Sequence, residues 1–341
     1  MKNTHSCPCC YIIPDIVLKQ LKKEGYDVPT NQSNKESEDF RLERASFMAS
    51  ERPLMGVSSN NGQRLVYDSQ NQAKKKLKLV RKDSDKPVSD IDVNAAYDNG
   101  GIVKSFFKEV LSWDSIDGEA LDLIFNVHYQ VRYNNAFWDG EQMTFGDGDG
   151  VNFSGFARSI DVTGHELTHG VVQYVSGLVY KGQSGALNEH YADVFGTAVK
   201  QWHLKQDAKT ADWLIGDTCM IGSFKGKAIR SMKNPADTSI VMMAQPDSMD
   251  KIYKGTSDNG GVHINSGIPN KAFYLVSMEI GTIPASTLWF DTLKSLRPTA
   301  KFTNFYKALT VSATKMIAEN KIPKTSLVIL EKAFKTVGIV K

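Results

Sequence analysis

Five residues, His165-Glu166-Leu167-Thr168-His169, restrict this chain more than any other stretch. Histidines four apart lie on one face of a helix, about one turn from each other, so their imidazoles can converge on one small cation. Glu166 projects beside them and can take a proton from water held by that cation. Ile160, Val162, Leu167, Val171, Val172 and Val175 are apolar around the motif, and their spacing predicts a helix over 159–176. Alone, the motif leaves two readings open: a metal site, or two helical histidines in ordinary hydrogen bonds. Catalytic zinc needs a third protein ligand and an open fourth position. Glu189 is the candidate. It stands in a second helical segment, polar among apolar residues, where a buried carboxylate is costly unless paired or metal-bound. Asp193 follows it by one helical turn on the same face.

The chain has 341 residues, more than one small core needs, which suggests two domains with an appended segment. A net charge of +3 is too mild for a nucleic-acid partner, and no apolar run approaches the length of a membrane span. No standard secretory signal is visible: after Lys2, charged Asp15, Lys19 and Lys22 arrive before any sufficient apolar stretch. Three of the four cysteines crowd at Cys7, Cys9 and Cys10, and Cys219 stands alone, so this is no disulfide framework.

Along the chain, a short helical pattern after Pro14 (Ile16, Val17, Leu21) leads into a polar stretch, so residues 1–52 form an appendage. Strands are expected at 63–68, 77–81, 123–129 and in the zone of Phe137-Trp138 and Met143–Phe145. A helix is expected over 91–111, interrupted by Gly100-Gly101. Beyond Gly185 the pattern is helical, at 187–202, 268–278, 286–296, 303–317 and 327–337. The expectation is an α+β chain: a β-rich half over 57–176 that ends in the motif helix, then a mainly α-helical half over 177–341.

Five stretches together resemble the thermolysin family of zinc metallopeptidases, in order and spacing. They are Asn134–Trp138, Gly146–Gly150, His165–His169, Gly185–Gly196 and Asp258–Ser266. The resemblance runs from about residue 60 to the C-terminus. It implies a two-domain zincin with the motif helix at the floor of a cleft, and an endopeptidase that hydrolyses peptide bonds through a Glu-activated, zinc-bound water. On matching positions it implies one zinc held by His165, His169 and Glu189, and Glu166 as the general base. It implies that Asp193 and Asn188 orient the two imidazoles. Tyr180 and His263 would stabilise the oxyanion, with Asp258 orienting His263. Asn135 and Ala136 would bind substrate backbone as an added strand, and Arg230 would hold a substrate carbonyl. Phe153, Phe156, Val162 and Ile229 would line the pocket after the cleaved bond, favouring bulky apolar residues there. His5, His128, His190 and His203 carry no motif and are read as structural or solvated. The expected partners are peptide or protein substrates, with the protein itself a monomer. The resemblance implies secretion, with cytoplasmic retention as the alternative.

The sequence also departs from that family. Asp161, Asp212 and Asp217 match part of a calcium cluster, but Lys200 and Leu214 replace acids there, so one calcium at most is expected and Lys200 should pair with the acids. Asp147-Gly148-Asp149-Gly150 is rejected as an EF-hand because its twelfth position is Arg158. The short leader matches the protealysin-like branch, whose propeptide would dock on the mature domain as an intramolecular inhibitor until self-processing, with Phe47, Leu54, Met55 and Val57 as candidate neighbours of the cut. A thiolate of the Cys7–Cys10 group could ligate zinc in this precursor. The plainer expectation is incidental thiols and steric blockade. A binding protein that kept the fold, and a structural metal protein, are the competing classes. Both are disfavoured, because Glu166 is present and no fourth ligand stands out. A metzincin lacks support because the nearby third histidine is absent.

Overall fold

The computed structural model describes residues 10–26 and 62–341. A six-stranded sheet, in the order β1-β5-β6-β4-β2-β3, forms the first half. Its strands are β1 (Cys10–Tyr11), β2 (Arg64–Asp68), β3 (Lys78–Lys82), β4 (Leu123–Val127), β5 (Ala136–Trp138) and β6 (Met143–Phe145). β2 and β4 pair in parallel, as do β4 and β6, while β1, β5 and β6 are joined antiparallel. The leader thus supplies an edge strand, with Cys10 opposite Trp138 and Tyr11 opposite Phe137. At the other edge, Leu77 and Leu79 are exposed while Arg81 is buried with its guanidinium 3.8 Å over the Tyr97 ring. The apolar side of that strand therefore does not face the core.

One helix, Ile91–Leu111, packs on the sheet. Its N-terminus is capped by Asp90, whose carboxylate accepts from the Asp92 and Val93 amides. Gly100-Gly101 does not interrupt it. A side chain at Gly100 would stand 2.2 Å from the Phe125 ring, so glycine lets the helix settle onto β4. The motif helix, Ile160–Val175, follows, and then a 22-residue helix, Gly182–His203. The second begins earlier than the sequence pattern suggests. These two helices cross in close contact: a Cβ at Gly164 would lie 3.1 Å from the Gly196 Cα, and one at Gly196 would lie 2.7 Å from the Asp161 carbonyl. That approach places the imidazole of one helix against the carboxylates of the other.

The rest of the second half is helical, at Gly267–Ile280, Thr282–Leu293, Phe302–Ala318 and Ser326–Thr336. One apolar cluster runs through both halves and includes Ile12, Ile13, Val17, Leu18 and Leu21 of the leader. The leader helix, Asp15–Lys23, buries the last three of these. Each such aliphatic chain contributes roughly 1.5–3 kcal/mol when fully buried.

Candidate metal centre and peptide-binding edge

His165 and His169 project from the motif helix and are fully buried. Their Nδ1 atoms are committed: His165 Nδ1 lies 2.8 Å from Asp193 Oδ1, and His169 Nδ1 lies 2.7 Å from Asn188 Oδ1. Asn188 also donates through Nδ2 to the Leu178 carbonyl at 3.2 Å, which fixes the orientation of its amide. A carboxylate and an amide oxygen only accept, so both Nδ1 atoms carry the proton. Both Nε2 atoms therefore present lone pairs, and they stand 3.1 Å apart. Burial holds His169 neutral, pushing its pKa down to about 3.

Glu189 completes the group. Its Oε2 lies 3.5 Å from His165 Nε2, and its Oε1 lies 3.4 Å from His169 Nε2. Burial acts to raise its pKa, yet the positive charge around it, that of His263 foremost, outweighs burial and keeps it ionised. Its Oε2 has no hydrogen-bond partner. Two facing lone pairs and an unpartnered buried carboxylate oxygen repel one another unless a cation sits among them. Two imidazoles and a carboxylate form a donor set that suits zinc, so the residues fit that ion.

Glu166 is fully buried beside this group and accepts the Trp138 amide of β5 at 3.0 Å. Tyr180 donates its hydroxyl to Glu189 Oε1, and its oxygen is 3.0 Å from His263 Nε2. His263 is held by a tight turn. Asp258, Asn259, Gly260 and Gly261 all have positive φ, and this turns the Asp258 carboxylate onto the His263 amide at 2.8 Å and its Nδ1 at 2.6 Å. Burial acts to lower the His263 pKa, but the Glu189 and Asp258 carboxylates push it up to about 9. A cation on Glu189 would offset part of that support. Arg230, fully buried, forks onto Asp193 through Nε at 2.9 Å and Nη2 at 2.8 Å. Burial opposes ionisation of Asp193, yet Arg230 and His165 hold its carboxyl well below the usual range.

The leader occupies the edge of β5. The Ile12 amide donates to the Ala136 carbonyl at 3.2 Å. Asn135 takes the Ile13 amide on Oδ1 at 3.1 Å and donates Nδ2 to the Ile13 carbonyl at 2.8 Å. Arg230 Nη1 donates to the Ile12 carbonyl at 2.8 Å, and His263 Nε2 lies 3.1 Å from the Tyr11 carbonyl. Phe153, Phe156, Val162 and Ile229 are fully buried in the same apolar cluster as Ile12 and Ile13.

The thermolysin metallopeptidase catalytic domain matches residues 29–173, and the thermolysin metallopeptidase alpha-helical domain matches residues 176–339. The chain belongs to the thermolysin metallopeptidase family. An extracellular metalloprotease of Pectobacterium carotovorum is 37% identical over 98% of this chain and 97% of its own length. Protease PrtS of Photorhabdus is 42% identical over 83% of this chain and 78% of its length. A thermolysin of Alicyclobacillus acidocaldarius is 39% identical over 70% of this chain, which is 44% of that protein. Among solved structures, the precursor of protealysin from Serratia proteamaculans matches with a TM-score of 0.81 at 36% identity, over 97% of this chain and 100% of that one. The chain is a thermolysin-like metalloendopeptidase. Among the described residues no helix is long and apolar enough to cross a membrane.

The acids matched to the family's calcium cluster hold a lysine instead. Lys200 Nζ lies 2.7 Å from Asp217, 3.1 Å from Asp212 and 3.3 Å from Asp161. Burial acts against its charge, and the three carboxylates override it. Asp147 and Asp149 are engaged locally: Asp147 binds His128 Nδ1 at 2.9 Å, and Asp149 accepts the Val151, Asn152 and Phe153 amides. His190 is neutral in the core. It donates Nδ1 to Asn270, accepts from Trp289 Nε1 at 2.7 Å, and burial pushes its pKa down to about 4.

Sequence reasoning missed three contributors. Asn270 donates to Asp193 Oδ2 at 2.9 Å and so links the two buried histidines His165 and His190. Gln245 anchors the His263 carbonyl at 2.6 Å. The Trp138 amide fixes Glu166. None carries a local sequence signal, because each acts through backbone or amide geometry set by distant chain. Cys7, Cys9 and the candidate processing positions Phe47, Leu54, Met55 and Val57 lie outside the described residues.

Proposed function

We propose that this chain is the precursor of a zinc endopeptidase that cleaves on the N-terminal side of bulky apolar residues, and that its leader restrains it until self-processing. The observation that carries the reading is the pair of imidazole Nε2 atoms 3.1 Å apart, both Nδ1 atoms already engaged, facing the unpartnered Oε2 of Glu189. His165, His169 and Glu189 would hold one zinc, which supplies Lewis-acid polarisation of a peptide carbonyl and acidifies water.

The chain's own groups do the rest. Glu166, kept in place by the Trp138 amide, takes a proton and returns it to the departing amine. His263 and Tyr180 donate to the oxygen on which charge develops. Asn135, Ala136 and Arg230 grip peptide backbone, as they grip the leader. Phe153, Phe156, Val162 and Ile229 offer an apolar wall. Preference among apolar residues there is modest, since one methylene is worth about 1–3 kcal/mol. Lys200 takes the place of a calcium at Asp161, Asp212 and Asp217. The Pectobacterium carotovorum relative, named as an extracellular metalloprotease, favours export.

The test compares purified wild-type precursor with Glu166→Ala, following cleavage of the leader and of casein beside zinc content. Wild type should process itself and digest casein. The variant should keep zinc and lose at least about 100-fold in rate. A wild type that binds zinc and cleaves nothing, even after another protease removes its leader, refutes the reading in favour of a binding protein.

A further inference from the structure

We propose that Cys10 is a metal ligand in the precursor: its thiolate takes the fourth position of the His165–His169–Glu189 site and so keeps the enzyme latent. This rests on the metallopeptidase reading above and goes beyond it.

Four observations converge. The leader is not merely laid over the cleft; its first described residue is in register with Trp138, the residue whose amide holds Glu166. Cys10 is fully buried and packs with Tyr180 and Val262, inside the site and away from solvent. A ligand atom of Cys10, one of His169 and one of Glu189 all lie within 4.8 Å of one another. Glu189 Oε2, fully buried, has no hydrogen-bond partner in that space.

The chemistry follows from the donor set. A catalytic zinc keeps one open position, whereas four protein ligands close it. Thiolate sulfur is a favoured zinc ligand, and coordination deprotonates the thiol outright. One S–H bond is lost, its proton leaves to solvent, and no electron is transferred.

Ligation also resolves a difficulty that steric blockade leaves. The Tyr11 carbonyl already sits at His263, and the Ile12 carbonyl at Arg230, on the groups proposed to receive a substrate. A leader held that way should be hydrolysed in place unless the position of the attacking water is taken. Sulfur from the residue before Tyr11 takes it.

The test uses the full-length chain carrying Glu166→Ala, so that the leader is retained, loaded with Co²⁺ as a visible substitute or with Zn²⁺. The cobalt protein should show thiolate-to-metal charge transfer in the near ultraviolet. X-ray absorption of the zinc protein should show one sulfur at about 2.3 Å. Both signals should vanish on adding Cys10→Ser, with one metal per chain still bound, and should survive Cys7→Ser and Cys9→Ser. A nitrogen- and oxygen-only shell in the parent, or sulfur persisting in Cys10→Ser, overturns the proposal while leaving the metallopeptidase reading intact. A parent that binds no metal overturns both. Should Cys10→Ser fail to fold, the parent shell alone decides.

Discussion

Asp193→Asn should destabilise the protein and loosen its metal site together. In the folded chain this carboxylate receives two donors from Arg230, one from His165 Nδ1 and one from Asn270, all between 2.8 and 2.9 Å. Every partner is buried, and Arg230 has no exposed surface. Replacing the carboxylate leaves a guanidinium uncompensated in the core, which costs about 3–5 kcal/mol. It also puts a neutral amide where a charged acceptor held the His165 ring, and weakening such a partner typically lowers metal affinity about 10–100-fold. Urea unfolding gives the first quantity and competition with a chelator the second, both in the Glu166→Ala background so that the leader stays. The pH dependence carries its own sign. A carboxyl depressed on folding contributes stability that is present above its unfolded value of 3.8 and is lost only as pH falls through the depressed value. The difference between wild type and variant should therefore be flat from about pH 5 to pH 8. Arg230→Met alone should also be costly, but less so when added to Asp193→Asn, since the pair is lost only once. Unchanged zinc affinity with unchanged stability would show that the carboxylate neither neutralises Arg230 nor orients His165.

Two further substitutions probe the surrounding charge networks. Lys200→Gln removes the cation from among Asp161, Asp212 and Asp217 and should lower stability by about 3–5 kcal/mol. Calcium should restore part of that in the variant and raise the melting temperature of the variant more than that of wild type; equal responses would count against a lysine in the cation's place. His128 joins Asp90 to Asp147, and the hydrogen bond to Asp147, against burial, helps push its pKa up to about 9. Because the folded value exceeds the unfolded 6.5, its contribution is complete below that and disappears as pH rises through about 9. After allowance for solvent screening it amounts to about 1–2 kcal/mol, and a His128→Gln chain with the same alkaline slope in urea midpoint would refute it.

Much of the helical structure was legible, because long runs with 3.6-residue periodicity specify helices regardless of partners. The expected 159–176 is observed as Ile160–Val175, and 91–111 matches the observed span. Failures fall where distant chain overrides local preference. Gly100-Gly101 reads as a break by propensity, but Phe125 fills the space a side chain would need. The strand expected to reach residue 129 stops at Val127, since His128 has φ 54° and turns toward Asp90 and Asp147. In the site, the spacing of His165 and His169 was readable, and Glu189 with Asp193 on one helix face nearly so. The tautomers were not, because they depend on Asn188 and Asp193 approaching through the glycine contact between two helices. Nor was the place of Cys10 readable, since it follows from strand pairing across the chain, which sets Cys10 opposite Trp138.

The leader and a substrate would draw on the same atoms, and this bears on how latency can be reversed. Asn135, Ala136, Arg230 and His263 all bond the main chain of residues 11–13, so their contribution is independent of side chain and available to any extended peptide. What distinguishes the leader is covalent tethering, which makes its binding intramolecular, and the apolar helix that follows, with Val17, Leu18 and Leu21 buried and Tyr26 against Phe224 at 4.8 Å. Cutting the chain beyond residue 26 removes the tether and nothing else. The released segment then competes at its own concentration instead of a high effective one, and ordinary substrate can displace it. On the reading proposed above, a single cleavage between residue 26 and β2 would be enough to lose latency: Cys10 would leave the metal with the leader, while His165, His169 and Glu189 keep their places.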